Sequence, residues 1–318
     1  MLPTYNKSSR VVGRAELIAA RSDLDEHYSE ADAAFPVRVT RSFWQRIDPD
    51  DPLDPLALQV LPDPRELIAD QSDLDDPVGD ELKSPVLWVV HKHPDRVLLL
   101  LTKRCHLYCR YCFRRNHRPG EAEDPTPDAW ERALEYAESS GAEEVILSGG
   151  DPLGVNDRRL LQTIDRLAAH IPVIRIHTRA PITAPWRITD DLVRELRARN
   201  PVWMVVHANH PRELSADVDE ALAKLVDAGI PVLNQAVLLR GVNDNAAVLA
   251  ELCQQLVRRR VFPYYLHHPD AAAGNAYLRL TQEQGLRLHQ ELSTLVSGIA
   301  LPRYVVDPPD GSGKRDVR

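Results

Sequence analysis

The chain has 318 residues, 43 % of them apolar and 27 % charged, with a formal net charge of −8. That composition suits a globular protein large enough to bury a substantial α/β core. It argues against a protein that tracks a phosphate backbone, which would show a basic stripe. With neither an apolar leader nor an apolar run of bilayer length, it predicts a cytoplasmic chain that does not engage a membrane.

In chain order, residues 1–84 come first and differ from the rest. The stretch "DPDDPLDPLALQVLPDPRELIADQSDLDDPVGDEL" is dense in Asp and Pro, which break helices and resist packing. Before it, "ADAAFPVRVTRSFWQRI" carries enough apolar side chains to dock. The expectation is an N-terminal region of short helices and irregular chain lying against a larger domain. From residue 85 a rhythm begins. Short apolar or β-branched runs appear at "RVLLLLT", "EEVILSGG", "VIRIHTR", "VWMVVHANH", "VLNQAVLLRG" and "FPYYLHH". Between them lie helical patterns, of which "TPDAWERALEYAESSG" begins with Thr126 as a predicted N-cap and Pro127 at the first helical position. Strands recurring about every 30 residues have the size of βαβ units. Six such strands predict a parallel sheet or an open barrel. Polar residues gather just after the strands, at Cys105, Gly150, Asp151, His177, His207, Arg240 and His267. In βα barrels that end of the strands carries the active site.

Three of the four cysteines fall in "CHLYCRYC", residues 105–112. The fourth, Cys253 in "LAELCQQLV", reads as a small buried hydrophobe on a helix. A Cys-x3-Cys-x2-Cys cluster admits two readings. One is a structural zinc site, which would need a fourth ligand from elsewhere in the chain. The other is an iron–sulfur cluster held by thiolates. Three cysteines leave one iron of a cubane without a protein ligand, and S-adenosylmethionine can chelate it through its amino and carboxylate groups.

At this position "CHLYCRYC" resembles the signature of the radical S-adenosylmethionine superfamily, and "LSGGDPL" after the next strand is similar to its glycine-rich segment. The resemblance implies that Cys105, Cys109 and Cys112 hold a [4Fe–4S] cluster. It also implies that Tyr111 lies near the adenine of S-adenosylmethionine, and that Gly149, Gly150 and Asp151 line its methionine moiety. The sequence from "HPDRVLLLLT" through "CRYCFRR", "SGGDPL", "HANHP", "LNQAVLLRGVNDN" and "PYYLHHPD" to the tail "VVDPPDGSGKRDVR" further resembles the lysine 2,3-aminomutase family. "FPVRVTRSFWQRI" brings it closest to the short members, which supply β-lysine for modification of elongation factor P. Members of the family bind pyridoxal 5′-phosphate through a lysine behind a glycine-rich turn, and Lys314 matches it. A P-loop is excluded there, since neither Ser nor Thr follows the lysine.

The resemblance assigns the remaining residues one by one. Arg96 matches a phosphate contact for pyridoxal phosphate, and Lys92 stands in a similar role where relatives often have Arg. Arg114 matches an anchor for the substrate carboxylate, a task suited to a guanidinium. His207 and Gln235 match positions lining S-adenosylmethionine; a His207/His210 metal pair is the competing idea. Asp270 and Asp307 match an acidic pair that receives the ε-ammonium of lysine. Longer members continue into a zinc-binding extension; an end at Arg318 points to the short branch without zinc. Asp310 and Ser312 interrupt the usual glycine run, and an acid near a phosphate could weaken the pyridoxal site.

The expected fold is therefore an α/β partial (β/α)6 TIM-like barrel over residues 85–285. It has the N-terminal region at 1–84 and a C-terminal cap at 286–318 bearing Lys314. The expected function is conversion of L-α-lysine to β-lysine, using an external electron donor and no nucleic acid or membrane, with assembly as a homo-oligomer left open. The rivals are an aminomutase for arginine or glutamate, a radical enzyme acting on a macromolecule, and a non-enzymatic iron–sulfur or zinc protein.

Overall fold

The computed structural model describes residues 10–21, 28–115, 122–199 and 201–318. Parts of the expected N-terminal region (1–9 and 22–27), and Asn200 at the end of one helical pattern, lie outside them. Four short helices come first: α1 Arg14–Ala20, α2 Tyr28–Ala34, α3 Arg41–Trp44 and α4 Ala57–Val60. The strand β1 Val89–His93 then turns back antiparallel onto β2 Arg96–Thr102. After it, α5 Pro127–Ser139, β3 Glu144–Gly149, α6 Asp157–Ala168 and β4 Val173–His177 alternate. They are followed by α7 Ala180–Thr183, α8 Asp190–Arg197, β5 Val202–Val206, α9 Ala216–Asp227 and β6 Val232–Val237. The chain closes with α10 Ala246–Arg258, β7 Phe262–His267, α11 Gln282–Leu295, β8 Arg303–Val306 and β9 Arg315–Asp316.

All six expected strands are present, in chain order, as β2 to β7. The sheet of the described residues runs β1 through β9 in sequence, parallel from β2 to β8 and antiparallel at both edges. Residues 286–318 thus add a seventh parallel strand and an edge strand to the same sheet. β1 and β9 do not pair with each other, so the barrel stays open. Several of the longer helices begin where a side chain satisfies their orphan amides. Thr126 Oγ1 accepts from the Ala129 amide with Pro127 behind it, Asn156 caps α6, Thr189 caps α8, and Thr281 forms a capping box with Gln284. No helix among the described residues is long and apolar enough to cross a membrane.

Strand periodicity sorts the side chains between two faces. Val97, Leu99, Leu101, Val145, Leu147, Ile174 and Ile176 are buried under the helices, with Leu160, Ile164 and Leu256 opposite them. Cys253 is buried in that layer, as expected of a small hydrophobe. The alternate positions face the lumen, and several are polar: Arg96, Glu144, Arg175, His177, Gln235, Tyr265 and His267.

The N-terminal region has its own apolar cluster of Val12, Leu17, Val39, Phe43, Leu56 and Val60, which closes on Leu107 of the cysteine loop. Its Asp- and Pro-rich part packs more tightly than its composition suggests, because its charges are spent inward. Glu66 is fully buried and accepts from Arg110 Nε at 2.8 Å and from Arg115 Nη2 at 2.6 Å. Arg110 also donates to the carbonyls of Phe35 and Pro36 at 3.0 and 3.2 Å. Removing the shared anion leaves two buried guanidinium groups uncompensated. Glu66→Ala should therefore lower stability by about 3–5 kcal/mol in urea unfolding. Leu67→Ala, at a largely exposed neighbour, should change it by less than about 0.5 kcal/mol.

Candidate functional site

The cysteine loop leaves β2 and is pinned to the end of β3 by backbone bonds. The Gly150 amide donates to the Thr102 carbonyl at 2.6 Å and the Asp151 amide to the Arg104 carbonyl at 2.8 Å. Gly149, at φ 124°, and Gly150 lie so close to this loop that a Cβ on either would strike its carbonyl groups. The glycines are therefore needed for backbone contact between the two segments. Asp151 is buried, and its carboxylate takes three bonds: from the Leu153 amide at 2.9 Å, Thr178 Oγ1 at 2.6 Å and the Arg179 amide at 2.9 Å. It ties the end of β3 to the end of β4.

Cys105, Cys109 and Cys112 are unbridged. Burial pushes the Cys105 thiol well up, helped by Asp151 and the other two cysteines, and pushes Cys112 up to about 11. Such thiols keep their protons unless a metal takes the proton's place. Among the described residues, no three His, Cys, Asp or Glu side chains converge on a single ion. A cubane asks for a different arrangement, since each thiolate bonds a separate iron. Three free thiols gathered in one short loop, two of them held protonated by burial, fit that group.

Beside the loop lies a buried polar network. Tyr111 Oη is 3.0 Å from His207 Nε2 and accepts from Asn209 Nδ2 at 2.7 Å, and the two rings stack at 5.7 Å. Burial and Arg179 lower His207 to a pKa of about 3, so the ring is neutral. Two of the positions expected to line S-adenosylmethionine are thus in contact. Gln235 stands on β6 on the same lumen face, in register with Tyr265. His210 does not join His207: its Nδ1 accepts from the Arg212 amide at 3.2 Å, capping a turn.

The second half of the lumen is a chain of alternating charges. Arg114 donates through Nη2 and Nε to one Asp80 oxygen at 2.6 and 3.1 Å, and Lys92 Nζ lies 2.8 Å from the other. Lys92 continues to Asp307 at 3.6 Å, and Lys314 Nζ donates to the far Asp307 oxygen at 3.3 Å. Burial pushes Asp80 up, but Arg114 and Lys92 outweigh it and hold the carboxyl at about 2. Asp270 goes the other way: burial, with the Asp307 charge beside it, raises it to about 7 against the pull of Lys314 and Lys92. Arg96 pairs with Asp95 at 3.0 Å and, with Lys314, depresses the pKa of His93, whose main cause is burial. His177 and His267 are both driven well below the usual imidazole range, first by burial, then by Arg175 and Lys314 for His177 and by Lys314 for His267.

Lys314 does not sit on a frayed tail. Arg315–Asp316 pair with β8, and the Val317 amide donates to the Tyr304 carbonyl at 3.1 Å. Gly313 packs directly on the His93 ring, and Gly311 meets Gly79, where a Cβ would lie 2.6 Å from the Gly311 amide. Asp310 is exposed and accepts from the Ser312 amide at 2.8 Å. A cavity of about 470 Å³ borders Asp270 and Asp307 and reaches Arg240, His268 and Arg279; it does not include the cysteines.

Sequence reading missed Asp80, Gln59, Arg179, Glu213 and His177 as members of this constellation, apart from noting His177 after a strand. Asp80 and Gln59 lie in the Asp- and Pro-rich region, where single acids and amides carry no pattern.

An open parallel barrel whose first crossover loop carries three clustered free thiols defines a class, the radical S-adenosylmethionine enzymes, and residues 99–253 match the model of that superfamily. Over 98 % of its length the chain is 37 % identical to the L-lysine 2,3-aminomutase of Clostridium subterminale, covering 76 % of that protein. It is 36 % identical to the L-lysine 2,3-aminomutase of Buchnera aphidicola over 88 % of this chain and 83 % of that one. It is 32 % identical to the glutamate 2,3-aminomutase of Clostridioides difficile over 97 % and 74 %. The chain belongs to the lysine 2,3-aminomutase family, and so to the radical aminomutases, which are isomerases.

Anaerobic reconstitution should load about four irons per chain. Cys105→Ala, Cys109→Ala and Cys112→Ala should each abolish cleavage of S-adenosylmethionine, whereas Cys253→Ala should leave it intact. Iron content and released 5′-deoxyadenosine are the measurements.

Proposed function

We propose that the protein converts L-α-lysine to β-lysine by 1,2-amino migration, with pyridoxal 5′-phosphate carried on Lys314. The observation that supports this most directly is the grouping of Lys314, Asp307 and Asp270 along one run of charge that ends at Arg114. The cluster and S-adenosylmethionine supply one-electron removal of a hydrogen too weakly acidic for any general base, and bound pyridoxal supplies the π system that accompanies the migrating nitrogen.

The chain's own residues do the rest. Arg114 offers a guanidinium edge to the substrate carboxylate, which must displace Asp80 from it. Arg96 and Lys92 are cations for the cofactor phosphate, and the exposed Asp310 carboxylate is engaged by the Ser312 amide. Once Lys314 carries the cofactor it no longer provides an ammonium to Asp307. Among the described residues Asp307 then keeps only Lys92, which it shares with Asp80, and Asp270 has no cation in direct contact, so the side-chain ammonium of lysine restores the balance. Glutamate would add a third negative charge there, at a cost of several kcal/mol. Arginine is the second reading, because the cavity beside the two acids has room for a longer side chain. Gly149, Gly150, Asp151, Tyr111, His207 and Gln235 frame the S-adenosylmethionine site. The similarity to short family members supports a cytoplasmic enzyme that draws electrons from an external donor and supplies β-lysine for elongation factor P.

The reconstituted enzyme, incubated anaerobically with S-adenosylmethionine, pyridoxal phosphate, dithionite and one amino acid at a time, should yield β-lysine and leave glutamate unchanged. Preference for glutamate would overturn the assignment. Lys314→Ala should lose the absorbance of covalently bound pyridoxal while retaining part of the S-adenosylmethionine cleavage. Asp270→Asn and Asp307→Asn should each cut lysine turnover about a hundredfold, equivalent to about 2.7 kcal/mol, with little change in pyridoxal binding.

The acid pair also sets a pH dependence. An acid with a free-protein pKa of about 7 is mostly protonated at pH 6, whereas a cationic ligand binds its ionised form. Lysine affinity should therefore rise as pH increases through 7 and then level off, with proton uptake on release below that pH. Asp270→Asn should flatten this profile in calorimetric titrations.

A further inference from the structure

Arg179 follows β4, and its side chain is nine-tenths buried beside the cysteine loop. Nη1 donates to Cys109 Sγ at 2.8 Å. Nη2 donates to Gln59 Oε1 at 2.7 Å and Glu213 Oε2 at 2.9 Å. The guanidinium carbon lies 5.5 Å from the Phe43 ring centre and 5.6 Å from that of Tyr111, within cation–π range of both. Glu213 is itself fully buried, and its other oxygen is taken up by the Asn209 and His210 amides and the Gln59 side chain. That carboxylate therefore cannot swing toward a different partner, and the fork it grips is fixed in direction. One edge of the guanidinium faces Glu213 and Gln59, and the other faces sulfur. A further donor, Arg179 Nε, is buried with no hydrogen-bond partner among the described residues. It remains available to an acceptor that only the loaded site contains.

We propose that Arg179 sets the reduction potential of the cluster through its N–H···S bond to Cys109 and its charge, with Glu213 and Gln59 as the residues that position it. One-electron reduction by an external donor moves the cluster from its 2+ to its 1+ state, and part of the added density falls on the thiolate sulfurs. A fixed cation donating to one of those sulfurs stabilises the reduced state more than the oxidised one. Burial among Phe43, Tyr111 and Glu213 keeps that effect from being screened by water. The potential therefore rises, so a donor of given strength reduces a larger fraction of clusters. Glu213, an anion in the same network, acts in the opposite direction through its charge. This role is independent of which amino acid is rearranged.

The test is redox titration of the reconstituted holoprotein followed by electron paramagnetic resonance, with dithionite as reductant. Arg179→Gln should lower the ratio of reduced to oxidised cluster at fixed potential about tenfold, a shift of about 59 mV to more negative values for a one-electron couple. Arg179→Lys should fall between it and the unaltered protein. Glu213→Gln should shift the potential to more positive values. Shifts of the same sign in Arg179→Gln and Glu213→Gln would mark a general disturbance of the loop and overturn the proposal, as would an unchanged midpoint in Arg179→Gln. Should Arg179→Gln fail to hold four irons, the unaltered enzyme labelled with arginine carrying ¹⁵N only in its guanidinium decides: the reduced cluster should show a ¹⁵N hyperfine coupling, and its absence overturns the proposal.

Discussion

An open parallel sheet cannot cover its own lumen, and the rest of this structure follows from how that gap is covered. β1 and β9 form the two edges and do not pair. They meet instead where Gly313, one residue before Lys314, rests on the ring of His93 at the end of β1. Gly79 and Gly311 make a second contact of the same kind just beside it. Backbone approach this close tolerates no side chain, which explains glycine at those positions. The seam brings the C-terminal tail and the N-terminal region to the lumen, and each leaves a charged residue there, Lys314 and Asp80.

The lumen then has to accommodate many charges away from water. Isolated ions would carry a desolvation cost of several kcal/mol each, so they alternate. Arg114, Asp80, Lys92, Asp307 and Lys314 form such a series, and Asp270, which lacks a direct partner in it, takes up a proton near neutrality. At the cysteine end Arg179 and Glu213 form the corresponding pair, with Gln59 closing the fork. The two ends differ in what they lack. The cysteine end has thiols without a metal-neutralised charge, and at the lysine end Asp270 has no cation in direct contact among the described residues.

The N-terminal region is where expectation and structure diverge in emphasis. Its Asp- and Pro-rich composition reads as poorly packing chain, yet it contributes buried Gln59 and Glu66 and the lumen residue Asp80. Proline and aspartate prevent long helices there, but they do not prevent docking. Asp54 accepts from the Leu56 and Ala57 amides, and Asp63 and Glu66 form a capping box, so the acids fold the segment through local turns. Asp310 behaves similarly: read as an intruder in a glycine run, it closes a turn on Ser312.

Local pattern determined what depends on neighbours in sequence. Strand and helix order, the Thr126 cap, the burial of Cys253 and the clustering of three thiols after the first parallel strand were all legible, because periodicity and spacing act over a few residues. The pairing of Arg114 with Asp80, the fork of Arg179 on Glu213 and Cys109, and the contact of Gly313 with His93 join residues 34, 34, 70 and 220 positions apart. Nothing in one sequence states which of its 47 acidic side chains will face a given cation. Only the tertiary fold decides that, by removing water from a few of them and leaving the charges that face one another across the lumen as partners.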